Sequence, residues 1–316
     1  MKKGLVIKST GSWFSVKLEN GEIIPCRIKG KFRLKGIRTT SPVTVGDFVK
    51  IEIQEDENGL IIEIEDRKNY IIRKSVNLSK KSHIIASNID LAFLVVTINH
   101  PKTYANFIDR FLVSAEAYHI PTTIIFNKID LHSEEENTEM DELISIYSSI
   151  GYHCIKTSVE KNINIEEVTK EMKGKTSVFS GNSGVGKSSL INLIDSKLDI
   201  KTSEISDSHN QGKHTTTFAE MHELAFGGYI IDTPGIKGLG IVDIEKEVIH
   251  HYFPEMRALM NNCKFNNCVH INEPKCAVKD AFEKGEIAES RYQNYWSLYH
   301  EDDNNKGFRE SLYVPK

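Results

Sequence analysis

Long apolar runs are missing from this sequence of 316 residues, in which no stretch approaches the ~20 consecutive apolar residues of a membrane-spanning helix. The N-terminus becomes polar too soon to form the apolar segment of a signal peptide. Internal repeats and low-complexity segments are also lacking. With 39% hydrophobic and 27% charged residues, the composition is ordinary for a globular protein of two or three domains. We therefore expect a cytoplasmic protein without a membrane partner.

Cysteine is scarce too, with five residues in the chain, of which three lie between positions 263 and 276. This clustering argues against a framework of disulfides and for a metal site in a reduced compartment. The pattern Cys-x4-Cys-x-His-x5-Cys supplies three thiolates and one imidazole, the tetrahedral set typical of structural Zn²⁺. It leaves no coordination position for a catalytic water. The predicted zinc ligands are Cys263, Cys268, His270 and Cys276.

The other cysteines and two nearby histidines are not expected to bind metal. Cys26 and Cys154 lie in predicted strands, where cysteine commonly packs as a small apolar residue. His250 and His251 precede the cluster, and we expect both at the surface because neighbouring residues of a helix point apart.

A glycine-rich segment at residues 181–189 follows the phosphate-binding pattern G-x-x-x-x-G-K-[ST]. A β-branched and aromatic run precedes it and an apolar helical turn follows it, so strand, loop and helix come in the required order. Lys187 is expected to reach the β- and γ-phosphates, and Ser188 to bind Mg²⁺. The candidate phosphate-binding residues are Gly181, Asn182, Ser183, Gly184, Val185, Gly186, Lys187, Ser188 and Ser189.

Two further segments predict which nucleotide is bound. Asp232 and Gly235 match the D-x-x-G segment whose Asp approaches Mg²⁺ and whose Gly N–H approaches the γ-phosphate. After another apolar strand comes the N-K-x-D segment, with Asn127, Lys128, Ile129 and Asp130. The Asp130 carboxylate can accept from both the ring N–H and the exocyclic amine of guanine, a donor pair that adenine does not offer. The expected ligands are GTP and GDP.

The order of these segments is permuted, because N-K-x-D precedes the phosphate loop instead of following it. Nearly the whole chain resembles the ribosome small-subunit-dependent GTPase A (RsgA/YjeQ) family, a circularly permuted GTPase family. The resemblance rests on this order, on residues 212–217 (Gly-Lys-His-Thr-Thr-Thr) and on the Cys/His cluster. The resemblance implies GTP hydrolysis in late assembly or maturation of the small ribosomal subunit, binding to rRNA, and stimulation by the subunit. It also implies that Thr157 and Ser158 stand at the guanine-oxygen segment, although Val159 departs from the family's pattern.

The group that orients the attacking water is left open by the sequence. Ile236 stands where Ras-like enzymes carry a Gln, so we expect slow intrinsic hydrolysis and either His214 or an external ribosomal group in that role. Thr216 is favoured by the resemblance as a Mg²⁺ ligand, with Thr215 and Thr217 as alternatives.

Three domains are predicted: an OB-like β-barrel at 1–68, a circularly permuted P-loop GTPase α/β domain at 69–240 and an α-helical zinc-binding domain at 241–316. Five short runs with strand character, at 5–8, 13–18, 23–28, 48–53 and 60–64, predict the barrel. Its loop at 29–38 is basic and contains Phe32, which favours RNA contact over a merely solvated loop. Residues 67–74 are interpreted as a basic linker into the GTPase domain.

Two other functions fit part of this sequence pattern. One is an RNA-binding assembly scaffold with a non-hydrolysing nucleotide site, which the intact Lys187, Ser188, Asp232 and Asp130 argue against. The other is a P-loop ATPase or kinase, which the N-K-x-D segment disfavours. We expect a monomer that contacts the small ribosomal subunit through rRNA.

Overall fold

The computed structural model describes residues 1–28, 42–55, 57–74, 82–198, 219–232 and 244–301. The chain divides into two compact units, Met1–Val242 and Asp243–Lys316. Among the described residues, no helix is both long and apolar enough to cross a lipid bilayer.

The first strands of the chain close into a barrel. They are β1 (Lys2–Thr10), β2 (Trp13–Leu18), β3 (Ile23–Ile28), β4 (Phe48–Ile53) and β5 (Gly59–Ile64). Their order is β1-β2-β3-β5-β4, and an additional pairing of β1 with β4 closes the circle. Strands β3 and β5 are parallel, whereas the other neighbours are antiparallel. The predicted OB-like barrel is confirmed.

Alternation along these strands explains the barrel. Successive side chains of a strand point to opposite faces, so every second residue of β2 is buried. The inward residues, among them Val6, Phe14, Val16 and Ile51, form a hydrophobic core of their own. Leu5 and Ile7 of β1 also pack against the core of the neighbouring sheet.

Residues 67–74 are not a linker along their whole length, because β6 (Tyr70–Lys74) pairs antiparallel with β7 (Ser82–Ser87). Ahead of β6, the buried Arg67 binds the fully buried Asp47 through both Nε and a terminal nitrogen, each at 2.6 Å. Asp47 also accepts from the Ser87 hydroxyl. A buried ion pair therefore ties the barrel loop before β4 to the chain entering the next sheet.

The nucleotide-binding region is an α/β sheet. Its strands are β8 (Leu91–Val96), β9 (Thr122–Phe126), β10 (His153–Lys156), β11 (Thr176–Ser180), β12 (Glu220–Glu223) and β13 (Tyr229–Asp232). Its helices are α1 (Ala105–Ala117), α2 (Glu134–Ser149), α3 (Ile165–Met172) and α4 (Lys187–Ile194). Strands β10-β9-β8-β11-β13 are parallel, and β12 adds antiparallel to β13. Within the described residues, β12 also pairs with β1, so sheet and barrel form one continuous array of eleven strands.

Both faces of this sheet are covered. Strand β8 is buried at every position; Ala92, Leu94 and Val96 enter one hydrophobic core, whereas Leu91 and Phe93 enter the other. This explains the unbroken apolar run in the sequence, as expected for a central parallel strand.

Local signals set where helices begin. Helix α2 starts after Ser133, whose hydroxyl accepts from the Glu136 N–H while the Glu136 carboxylate accepts from the Ser133 N–H. This reciprocal cap satisfies two backbone donors at the helix start. Acidic residues in the first turn add a favourable interaction with the helix dipole.

The second unit is small and helical. It contains a 3-10 segment at Lys246–Tyr252, α5 (Pro254–Leu259), α6 (Ala277–Glu283) and α7 (Glu289–Tyr299). Arg291 of α7 is buried, lies over the Phe253 ring and binds Glu255 through two nitrogens. Because that charge is paired and its donors are used, its burial is compatible with a stable core.

Candidate functional site

The predicted nucleotide-binding segments meet at one edge of the parallel sheet. The phosphate loop follows β11, the N-K-x-D segment follows β9, Thr157 and Ser158 follow β10, and Asp232 ends β13. Carboxyl ends of parallel strands lie on the same side, so the permuted chain order does not separate them. The site is assembled by strand order in space and not by order in sequence.

The phosphate loop lies against β8 without room for a side chain at its first glycine. Gly181 has φ +142°, and a Cβ there would be 2.2 Å from the Val95 carbonyl oxygen. Position 181 therefore requires glycine, both for this φ and for the close approach of the loop to Val95. The loop ends at Gly186, with φ +96°, immediately before α4 begins at Lys187. Its backbone N–H groups consequently gather at a helix N-terminus, the arrangement that binds phosphate.

Lys187 is buried and points back across this loop. Its Nζ donates to the carbonyl oxygens of Gly181 at 2.8 Å and Asn182 at 2.7 Å. Ser188, the predicted Mg²⁺ ligand, is also buried and occupies the next position of α4. Lys187 and Ser188 thus both lie at the start of α4, directly after the phosphate loop.

Asn127 links its own segment to the phosphate loop and to the segment after β10. Its Nδ2 donates to the Val185 carbonyl oxygen at 2.8 Å, and its Oδ1 accepts from the Thr157 hydroxyl at 3.0 Å. The side chain is 1% exposed. Asn127 therefore holds the phosphate loop and the segment after β10 in fixed positions relative to each other.

Lys128 adds a second bridge to the phosphate loop. Its Nζ donates to the Gly184 carbonyl oxygen at 2.7 Å and to that of His100 at 2.6 Å. Pro101, next to His100, lies 3.4 Å from where a Cβ on Gly184 would be. The loop after β8 was not predicted to take part in this site. Its Asn-His-Pro turn at a strand end was the available signal.

Asp130 lies within reach of Ser158. The Ser158 hydroxyl donates a short hydrogen bond to Asp130 Oδ1, and it accepts from the Lys161 N–H at 3.0 Å. The backbone N–H of Ile129 donates to the Thr157 carbonyl oxygen at 3.2 Å. The structure thus brings the predicted guanine-binding carboxylate together with the segment after β10.

Other predicted residues lie outside the described part of the chain. These are His214, Thr215, Thr216 and Thr217, together with Gly235 and Ile236. Asp232 is described as the last residue of β13.

The predicted zinc ligands converge in the second unit. The donor atoms of Cys263, Cys268, His270 and Cys276 all lie within 4.8 Å of one another. Cys263 Sγ is 3.9 Å from Cys276 Sγ, and His270 Nδ1 is 3.6 and 3.3 Å from these two sulfurs. A tetrahedron with Zn–S bonds of about 2.3 Å and Zn–N bonds of about 2.0 Å has edges of roughly 3.5–3.8 Å. The donor set and its spacing therefore fit zinc.

Burial shifts the pKa of His270, Cys268 and Cys276. It lowers the pKa of His270 to about 4, so the imidazole is neutral at pH 7 and has a lone pair to donate. Burial also raises the pKa of Cys268 to about 12 and that of Cys276 above its ordinary value. Coordination by these thiols consequently requires proton release.

The expectation that His250 lies at the surface is wrong. It is 6% exposed, and its ring packs edge-on against that of His270, with centroids 4.7 Å apart. Burial lowers the pKa of His250 to about 4. His251 is exposed, so the two histidines do point apart, but one of them faces the core. Among the described residues, His250 Nδ1 and His270 Nε2 are buried without a hydrogen-bond partner.

Comparison with known proteins identifies the family of this chain. The model of the RsgA GTPase family matches residues 64–242, and that of the RsgA N-terminal domain matches residues 3–61. The chain belongs to the RsgA GTPase family. Membership confirms the predicted family and makes the chain a GTPase, as predicted.

Relatives of the RsgA family match over nearly their whole length. The small ribosomal subunit biogenesis GTPase RsgA of Christiangramia forsetii is 55% identical over 306 residues, covering 96% of this chain and 97% of the relative. YjeQ from Thermotoga maritima matches with a TM-score of 0.77 at 38% identity, covering 94% and 97% of the two chains. YloQ, described as a circularly permuted GTPase, matches with a TM-score of 0.74 at 33% identity, covering 95% and 94%. The predicted permuted fold is confirmed.

Proposed function

We propose that this protein hydrolyses GTP in late assembly or maturation of the small ribosomal subunit, and that contact with the subunit stimulates hydrolysis. The observation that carries the nucleotide part is the convergence of phosphate loop, Asn127, Lys128 and Asp130 at the carboxyl edge of the sheet. The subunit part is supported by the name of the Christiangramia forsetii relative. Three domains at 1–68, 69–240 and 241–316 are part of this proposal, as are a monomeric state and a cytoplasmic location.

In the proposed site, Asp130 accepts from the two guanine donors while Ser158 orients its carboxylate. Lys187, whose Nζ lies beside the Gly181 and Asn182 carbonyl oxygens, reaches the β- and γ-phosphates. Thr157 and Ser158 frame the guanine oxygen, and all nine residues from Gly181 to Ser189 cradle the phosphates.

Mg²⁺ would be held by Ser188 and Thr216, with Asp232 near it, and would neutralise charge on the β- and γ-phosphates. Ile236 cannot orient water, so the remaining group is His214 or a ribosomal one. Zn²⁺ would be held by the Cys263, Cys268, His270 and Cys276 set, where it would supply folding energy to the second unit.

The basic stretch at 29–38 and the barrel that carries it are proposed to contact rRNA. Arg27, at the end of β3, lies 3.9 Å over the Trp13 ring, which places an aromatic face and a cation beside the start of that stretch. Such pairs suit stacked bases and phosphates.

Single-turnover GTP cleavage tests the proposal, measured for the full chain with and without purified small subunits. We expect slow cleavage alone and a gain of about 10³–10⁵-fold with subunits, the range of activating proteins on other GTPases. Equal rates in both conditions would exclude subunit stimulation. Tight GTP binding with no cleavage in either condition would favour a non-hydrolysing scaffold.

Metal analysis tests the second unit. We expect one zinc per purified chain, and Cys276→Ser should lose it while GTP affinity stays unchanged. A chain purified without zinc that also fails to bind added zinc would exclude the metal site.

A further inference from the structure

The loop that carries His270 is held by side chains that are not metal ligands. Glu273 accepts from three backbone N–H groups: Val269 to Oε1 at 2.8 Å, and Ile271 and Asn272 to Oε2 at 3.0 and 3.1 Å. A carboxylate that accepts three N–H bonds fixes the backbone of all three donors. These three donors flank His270 on both sides.

Two tyrosines of α7 hold the carbonyl groups of the same loop. The Tyr292 hydroxyl donates to the His270 carbonyl oxygen at 2.6 Å, and the Tyr295 hydroxyl donates a short bond to that of Val269. Residues three apart on a helix lie on one face, so both hydroxyls reach the loop from the same side. Tyr295 is fully buried, and the Tyr292 ring stacks on Phe282 with centroids 4.3 Å apart.

These hydrogen bonds hold His270 in a backbone conformation that it would otherwise avoid. His270 has φ +61°, in the left-handed region that residues with a Cβ seldom occupy. Such a conformation persists only where the surroundings determine it. In this conformation His270 Nδ1 faces the sulfurs of Cys263 and Cys276. A relaxed backbone at this residue would rotate the imidazole away from the thiols.

Glu273 also carries a negative charge, which the backbone N–H groups of the loop stabilise. Its half-buried side chain belongs to the loop between the predicted ligands His270 and Cys276. Burial works to raise the pKa of Glu273, but the backbone N–H groups, that of Val269 first, outweigh it and hold this pKa below its ordinary value. The carboxylate is therefore ionised at neutral pH, and its charge is directed at the loop's N–H groups.

We propose that Glu273 is a positioning residue for the zinc site: it holds the His270 loop in the coordinating conformation and so raises zinc affinity. Tyr292 assists from α7. This inference rests on the zinc binding proposed above, and it assigns to Glu273 no direct contact with the ion.

The test compares Glu273→Gln with wild type in the full chain by competition for Zn²⁺ against a chelator, and by the visible spectrum after Co²⁺ substitution. An amide has one accepting oxygen, and its NH₂ faces N–H donors, so at least one loop bond is lost. We expect zinc affinity to fall about 10–100-fold, as for other outer-shell partners of metal sites. The Co²⁺ bands should shift because ligand geometry changes, which a general loss of stability would not cause.

Controls separate this inference from the zinc proposal. Glu286→Gln removes an exposed carboxylate of the same unit, and it should leave affinity and spectrum unchanged. If wild type binds zinc and Glu273→Gln matches it in affinity and spectrum, the positioning role is wrong. If wild type binds no zinc, the zinc site itself is wrong and this role falls with it.

Tyr292→Phe provides a second variant if Glu273→Gln does not fold. It keeps the ring on Phe282 and removes only the bond to the His270 carbonyl oxygen, so we expect zinc affinity to fall about fivefold. Unchanged affinity in Tyr292→Phe, with Glu273→Gln unfolded, would also overturn the proposal. Unchanged GTP affinity in each folded variant is the check that the effect is local.

Discussion

At the scale of single residues, the proposed nucleotide pocket consists of polar side chains that have hydrogen-bond partners within the protein. Asp130 is held by Ser158, Asn127 by Val185 and Thr157, and Lys187 by two carbonyl oxygens. Polar groups that are held in place in advance lose less conformational entropy when a ligand binds. In the proposed pocket, these hydrogen bonds therefore reduce the entropy cost of holding the polar groups in place.

The carboxylate of Asp130 is the residue that should decide base preference. Asp130→Asn places an amide donor where guanine also donates, so we expect GTP affinity to fall roughly 100-fold or more. Xanthosine triphosphate should bind this variant better than GTP. Equilibrium binding with a fluorescent nucleotide measures both. Glu142→Gln, at an exposed position of α2, is the control, and GTP affinity equal to wild type in Asp130→Asn would exclude this base pocket.

Gly186 should be needed for space as well as for backbone angle. A Cβ there would lie 2.5 Å from Asn127 Nδ2, whereas Gly174 has a similar positive φ and nothing within 4 Å. Gly174→Ala should therefore cost only the strain of a left-handed residue, about 1–2 kcal/mol. Gly186→Ala should also displace Asn127 and lower nucleotide affinity about tenfold. Thermal unfolding and nucleotide binding separate the two effects; equal nucleotide affinities in both variants would contradict this reasoning.

At the scale of elements, the joint between barrel and sheet rests on a buried ion pair and on a strand pairing. Arg67 and Asp47 are 8% and 0% exposed, and β1 pairs with β12 at Lys8 and Glu220. Strand β12 is also the neighbour of β13, which ends at Asp232. The barrel is therefore attached to the part of the sheet that leads into the nucleotide site.

Removing the cation of this joint should be costly because it leaves a buried carboxylate without its partner. We expect Arg67→Met to lower the free energy of unfolding by about 3–5 kcal/mol. Lys102→Met breaks an ion pair in which both side chains are more than 40% exposed, and it should cost about 0–1 kcal/mol. Urea unfolding measures both, and a similar loss in the two variants would show that burial at Asp47 is not the cause.

At the scale of the whole molecule, the net charge is negative although one segment is strongly basic. The net charge is −4, yet residues 1–50 contain eleven Lys and Arg against three acidic residues. Five of these cations occur at positions 29–38, which lie outside the described residues. A local cluster of this kind attracts phosphate even when the protein as a whole is acidic.

Replacing Lys31, Arg33 and Lys35 together by Gln should weaken binding to small subunits without changing GTP cleavage by the protein alone. Each lost phosphate contact should flatten the dependence of log affinity on log salt by about 0.7–0.9. Co-sedimentation with subunits over a salt series measures this. Lys170, Lys173 and Lys175, exposed at the end of α3 and just after it, form a matched control triple for the same replacement. Equal weakening by both triples would mean that the barrel segment has no special role.

The sequence by itself determined the features that depend on local spacing. These are the five barrel strands, the phosphate loop with its flanking strand and helix, the N-K-x-D segment and the four predicted zinc ligands. Strand alternation, glycine-dependent turns and clustered metal ligands are each encoded within a short stretch, so they can be recognised without knowing the rest of the chain.

Only the tertiary structure decided the contacts between distant segments. It brought His100 to Lys128, made β6 a paired strand where a linker was predicted, buried His250 against His270, and joined β1 to β12. The Glu273 bonds belong here too, because they depend on the left-handed turn at His270 that no local pattern announces. The physical reason is that such contacts follow from strand order and from which helix face is buried. The same local patterns are compatible with more than one strand order and more than one buried helix face, so they do not determine these contacts.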